Sequence, residues 1–152
     1  MSSPRNQQLG ELPQRVEHAR FSIPAEKPRI LIVEDEAPVA MVIRFLLGRA
    51  GCETEIATTI PKAMQLAQEK DFSLITLDVG MPGRDGFRVC QELKQNPRLK
   101  KTPIIFISGR SSLEDQQYGL KMGAADYITK PFDSSEFAPR ILSHIIRHEE
   151  IS

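Results

Sequence analysis

Five side chains, scattered over about a hundred residues, could do chemistry together: the acids Glu34, Asp35 and Asp78, the hydroxyl of Ser108 and the amine of Lys130. Each sits at the end of a short apolar run or just beyond it: ILIV before Glu34, LITL before Asp78, IIFI before Ser108 and YIT before Lys130. Singly, each has an ordinary explanation. Glu34-Asp35-Glu36 would suit a helix N-terminus, where negative charge is stabilised by about 0.3–1 kcal/mol. Asp78 could open a turn, Ser108 could cap a helix, and Lys130 could stand in solvent. Jointly they suit one reaction. Packed carboxylates repel one another and need a cation, and hard oxygen ligands with room for water suit Mg²⁺. An ionised carboxylate is a nucleophile toward phosphorus and gives an aspartyl phosphate. That transfer needs chiefly positioning and charge neutralisation, to which Lys130 would contribute, while the Ser108 hydroxyl could donate to a phosphoryl oxygen.

The intervening sequence has to bring these groups to one place. Ile30–Val33, Leu74–Leu77 and Ile104–Ile107 are apolar runs of strand length, as expected for strands buried on both faces of a parallel sheet. Cys52–Ile56 and Ala125–Ile128 are weaker candidates, expected toward the edges. Between them lie helical patterns. Val39, Val42, Ile43, Leu46 and Leu47 repeat with helical spacing before Gly51. Ile60, Ala63, Met64 and Ala67 follow Thr58-Thr59, with Pro61 tolerated in the first turn. Phe87, Cys90 and Leu93 mark a third helix, stopped by Asn96-Pro97. Ala138, Ile141, Leu142 and Ile145 mark the last. Between Ser111 and Met122 only Leu113 and Leu120 offer an apolar stripe, which predicts a loosely packed helix. Five strands alternating with five helices make an α/β domain with a doubly wound parallel sheet, whose ligands sit at the carboxyl ends of the strands.

Length and composition fit this reading. A chain of 152 residues, 40% hydrophobic and 26% charged, can bury roughly two-thirds of its unfolded surface. Lys+Arg and Asp+Glu each total 20, so the net charge is zero and a strongly basic nucleic-acid binder is disfavoured. No apolar run approaches the roughly 18 residues of a membrane span, and no signal-peptide core is evident, so a cytoplasmic protein is expected. Cys52 and Cys90 are too few for a disulfide framework and read as small packing residues. Residues 1–28, punctuated by Pro4, Pro13, Pro24 and Pro28, read as a mobile arm; Leu9, Leu12, Val16 and Ala19 could instead form a docked helix. Residues 29–149 form the domain and 150–152 a short tail.

In combination, ILIVEDE, LITLDVGMPGRDGF, IIFISGR and AADYITKPF resemble the receiver domains of two-component response regulators, chemotaxis-type stand-alone members included, from about Arg29 to His148. The resemblance implies a flavodoxin-like fold with strand order 2-1-3-4-5, an order taken from the family and not from the pattern. It implies that Asp78 is the phosphoacceptor, serving a histidine kinase or phosphotransfer protein. It implies Mg²⁺ on Glu34, Asp35, Asp78 and the backbone carbonyl of Gly80. Glu34 stands where Asp is also common. Ser108 and Tyr127 match a switch pair, Ser108 moving toward the phosphoryl group and Tyr127 rotating inward. Lys130-Pro131 matches a motif with a cis peptide. Gly80 and Arg110 fall at positions that influence phosphate lifetime in similar proteins.

Because the sequence stops soon after the last helix pattern, it reads as a single-domain regulator without an output enzyme or DNA-binding domain. It would then signal through the fourth helix, fifth strand and fifth helix to an unknown protein, with a homodimer possible and no membrane contact. A phosphate shuttle between kinases is the alternative. An aspartyl-phosphate phosphohydrolase of the haloacid dehalogenase type is disfavoured, since the second Asp it needs is Gly80. No phosphate loop of the flavodoxin or P-loop kind is present. Asp133 and Glu136 resemble a capping box for the last helix. Pro139 beyond them predicts a distorted helix start. His144 and His148 share a helix face, but with no third ligand they read as cations near a helix C-terminus. His18 in the arm has no catalytic context.

Overall fold

The computed structural model describes residues 27–83 and 85–151, with side chains through Ile145. The expectations for the arm, His18 and the His148 side chain therefore lie outside the described residues. Strands β1 (Arg29–Val33), β2 (Glu53–Ala57), β3 (Leu74–Leu77), β4 (Ile104–Ser108) and β5 (Asp126–Thr129) alternate with helices α1 (Ala37–Arg49), α2 (Ile60–Glu69), α3 (Gly86–Gln95), α4 (Leu113–Lys121) and α5 (Ser134–Ile151). All strand pairs are parallel and their order is β2-β1-β3-β4-β5. The two weaker strands each begin and end one residue later than the pattern suggested.

The apolar runs form strands because successive residues face opposite sides of the sheet and both sides are covered. Leu31 and Val33 pack with α2 and α3 through Ile60, Ala63, Leu66, Phe87, Val89 and Leu93. Ile30 and Ile32 pack with α1 and α5 through Ile43, Leu47, Phe137, Ile141 and Ile145. Cys52 and Cys90 are buried free thiols, and burial pushes the Cys90 pKa up to about 11, so it packs as an inert small side chain.

Local signals set the helix starts. The side chains of Thr59, Asp85 and Ser112 accept from the backbone N–H groups of Lys62, Phe87 and Asp115. Asp133 Oδ1 accepts from Ser135 N at 2.8 Å, one residue earlier than a capping box requires. Helix α5 runs through Pro139, which has no N–H to donate to the Ser135 carbonyl.

The expected stripe of α4 is also corrected. Leu113 and Leu120 are 69% and 48% exposed, and the buried residue of this helix is Gly119. A Cβ at Gly119 would lie 3.0 Å from ring atoms of Phe106 and Tyr127, so the helix rests on β4 and β5 through a glycine. No helix among the described residues is long and apolar enough to cross a membrane.

Candidate functional site

Strand register assembles the site. Val33 pairs with Leu77, so Glu34 and Asp78 emerge side by side, one step past paired residues; Ser108 pairs with Thr129, which places Lys130 beside them. Asp78 N donates to Val33 O at 3.1 Å and Lys130 N to Ser108 O at 2.9 Å, carrying the ladder one residue into the site. The Lys130-Pro131 bond is cis, as expected.

Glu34 is 1% exposed and Asp78 7%. Lys130 Nζ donates to Glu34 Oε1 at 2.8 Å and to Asp78 Oδ2 at 3.3 Å, with Glu36 Oε1 at 3.9 Å. The other oxygens are also engaged: Glu34 Oε2 accepts from Glu36 N at 3.2 Å and Asp78 Oδ1 from Gly80 N at 3.0 Å. Burial raises the Glu34 pKa and the Asp78 charge adds to this, against the hydrogen bond from Lys130. Burial would lower the Lys130 pKa, but Glu34 and Asp78 hold it above its ordinary value, so it is an ammonium.

Beside this pair opens a cleft of about 280 Å³ lined by Asp35, Glu36, Asp78, Gly80, Ser108, Gly109, Arg110 and Lys130. Oxygen atoms of Glu34, Asp35 and Asp78 all lie within 4.8 Å of one another. This donor set suits a small hard divalent cation such as Mg²⁺, because three carboxylates face a single ammonium and each oxygen keeps lone pairs beyond its present hydrogen bond.

Ser108 and Tyr127 meet on the loop after β4. Ser108 Oγ accepts from Arg110 N at 3.1 Å, and Tyr127 Oη donates to Arg110 O at 2.6 Å. Tyr127 is 4% exposed, with its ring 5.7 Å from that of Phe106. The ring that the resemblance expects to rotate inward is thus already inside.

Two residues of this neighbourhood were not singled out from sequence. Asp115 pairs with Arg110, and Asp126 receives two bonds from Arg140 and one contact from His144. The i, i+4 spacing of Arg140 and His144 on α5 is the sequence signal for a shared partner at Asp126, whereas Arg110 lies in the loop before α4 and no spacing marks its pairing with Asp115. His144 is 7% exposed and its Nε2 lies 2.9 Å from Asp126 Oδ2, so it packs against β5.

Residues 30–142 match the family model of the response regulator receiver domain. The chain belongs to that family. Solved receiver domains agree. The receiver domain protein (CheY-like) from Methanospirillum hungatei JF-1 is 25% identical with a TM-score of 0.78, covering 84% of this chain and all of that one (100%). The receiver domain of Francisella response regulator 1452 is 30% identical with a TM-score of 0.74, over 80% of this chain and 98% of that one. The signal receiver domain of a signal transduction histidine kinase from Syntrophus aciditrophicus is 32% identical with a TM-score of 0.71, over 78% and 89%. The receiver domain described here thus belongs to two-component signalling, has the CheY-like fold and keeps the acidic cluster. Gly80, with no side chain to act as a general acid, weighs against the phosphohydrolase alternative.

Proposed function

We propose that this receiver domain accepts a phosphoryl group on Asp78 from a histidine kinase or phosphotransfer protein and signals through altered protein contacts. The observation that carries the reading is the Lys130 ammonium bridging buried Glu34 and Asp78 at the wall of a carboxylate-lined cleft. An Asp78 oxygen attacks phosphorus, the bond from phosphorus to the donor atom breaks, and the donor leaves with that electron pair. Glu34, Asp35, Asp78 and the Gly80 carbonyl would hold Mg²⁺, which when bound neutralises charge on the phosphoryl oxygens. Lys130 holds Asp78 in place and remains as a fixed cation beside the new phosphate.

Ser108 and Tyr127 serve as the coupling pair. Both bind the backbone of Arg110, so a phosphoryl oxygen that takes the Ser108 hydroxyl disturbs the Arg110 N–H, the loop and the start of α4. Phosphorylation then shifts a balance between existing conformers, and the surface of α4, β5 and α5 carries the output.

Incubation with acetyl phosphate and Mg²⁺ should add one phosphate, mapped to Asp78, and Asp78→Asn or chelation should abolish it. Phosphate found elsewhere, or undiminished labelling in chelator, would refute the assignment.

A further inference from the structure

Arg110 borders two clefts. One is the acidic cleft at Asp78; the other, of about 340 Å³, is lined by Asp85, Phe87, Arg110, Glu114, Asp115 and Tyr118. Its backbone is fixed at both polar ends, by Ser108 Oγ and by Tyr127 Oη. Only its side chain is left to choose between the clefts. In this structure the guanidinium is in the second: Cζ lies 5.3 Å from the Phe87 ring centroid, Nη2 donates to Asp115 Oδ1 at 2.9 Å and Nε approaches Asp115 Oδ2 at 3.4 Å. Asp85 and Glu114 add negative charge there.

The Arg110 side chain is 54% exposed, so this pair is one of the weak, salt-sensitive kind. An arginine held so loosely beside a site for anionic phosphodonors has a better partner whenever a donor arrives, because guanidinium matches phosphate geometry with two parallel bonds. Of the two cations that line the cleft, Lys130 is already engaged by Glu34 and Asp78, which leaves Arg110 as the one whose side chain can turn to a donor.

We propose that Arg110 is a donor-binding side chain held in reserve, and that Asp115 is the positioning residue that sets its availability by pairing with it over Phe87. The idea rests on Asp78 being the phosphoacceptor. Donor binding exchanges the Asp115 pair for a pair with the phosphoryl oxygens, and no covalent bond changes in that exchange. Every donor that takes Arg110 must first release the Asp115 pair, so Asp115 lowers the apparent affinity for small donors.

The test follows acetyl phosphate labelling by intact-protein mass spectrometry at saturating Mg²⁺, over a range of donor concentrations and at two ionic strengths. Asp115→Asn should lower KM about three- to tenfold with kcat little changed, the scale of releasing one exposed ion pair and one cation–π contact. The gain should shrink at high salt, be absent with Asp115→Glu, and vanish when Asp115→Asn is placed in an Arg110→Met background. An unchanged KM, or a gain that persists without Arg110, overturns the proposal. Arg110 is exposed and Asp115 half-buried, and denaturation curves check that each variant is folded. Wild-type protein that takes no label on Asp78 overturns the phosphoacceptor reading and this proposal together, whereas normal wild-type labelling with an unchanged Asp115→Asn KM overturns this proposal alone.

Discussion

Lys130 Nζ lies 2.8 Å from Glu34 Oε1 and 3.3 Å from Asp78 Oδ2, and both acids are almost fully buried. Removing one partner of a buried ion pair leaves an uncompensated charge, which costs more than the pair contributes. Lys130→Met should therefore lower stability by about 3 kcal/mol in chelator. Proton uptake by Glu34, whose pKa is already raised by burial, limits the loss. Added Mg²⁺ should stabilise this variant more than the wild type, since binding to the folded state alone adds stability by mass action. Urea unfolding with and without divalent cation measures both. A variant as stable as wild type in chelator would contradict the geometry of the pair.

Between β5 and the helices beside it, two contacts decide how the elements seat. Gly119 brings α4 to within 3.0 Å, measured from a would-be Cβ, of the Phe106 and Tyr127 rings. Alanine is the better helix former by up to about 1 kcal/mol. Here the added methyl has to displace core rings at a cost of about 1–3 kcal/mol. Gly119→Ala should thus destabilise, against its propensity, and should shift the Tyr127 ring resonances; a stabilised variant would mean that α4 stands off from the sheet.

On the other side, Asp126 ties β5 to α5. Burial would raise its pKa, but the bonds from Arg140, His144 and its neighbour Tyr127 N overcome this and hold it at about 2, against an ordinary 3.8. A depressed carboxylate pKa stabilises the fold fully above the unfolded value and loses that contribution as pH falls through the folded value. Arg140 is half exposed, so the contribution is about 1–2 kcal/mol. Stability should fall between about pH 4 and pH 2 by this amount, and Asp126→Asn should flatten that part of the curve in acid titration of the denaturation midpoint.

For the molecule as a whole, the sheet has a dry middle and a wetter edge. All residues of β3 and β4 are buried, whereas β2 begins exposed and is buried fully only at Ala57. Two separate cores, one on each face, both rest on the central strands. Opening the β2 edge exposes little apolar surface, but opening β3 or β4 disrupts both cores. Backbone amides of Leu74–Leu77 and Ile104–Phe106 should therefore exchange last, at the rate of global unfolding, and β2 amides first, as read by native-state hydrogen exchange. Equal protection across all five strands would show that the edge is not a separate unit.

Local order along the chain already determined most of this: apolar runs of four or five residues, helical spacing between them, and Thr59, Asp85 and Ser112 as caps all act through near neighbours. The polar residues ending those runs were likewise legible, because parallel strands must deliver their carboxyl ends to one rim. Tertiary structure decided what depends on distances between elements. Leu113 and Leu120 looked like an inward stripe, yet α4 comes so close to the sheet that only Gly119 fits beneath it. His144 read as a residue near a helix C-terminus with no evident partner, yet it is buried and Asp126 meets it between β5 and α5. The pairing of Arg110 with Asp115 and the inward setting of Tyr127 follow from loop geometry that no spacing encodes. Side-chain type and periodicity constrain which face of an element turns inward, but only the packed distance between elements fixes which polar group finds a partner there.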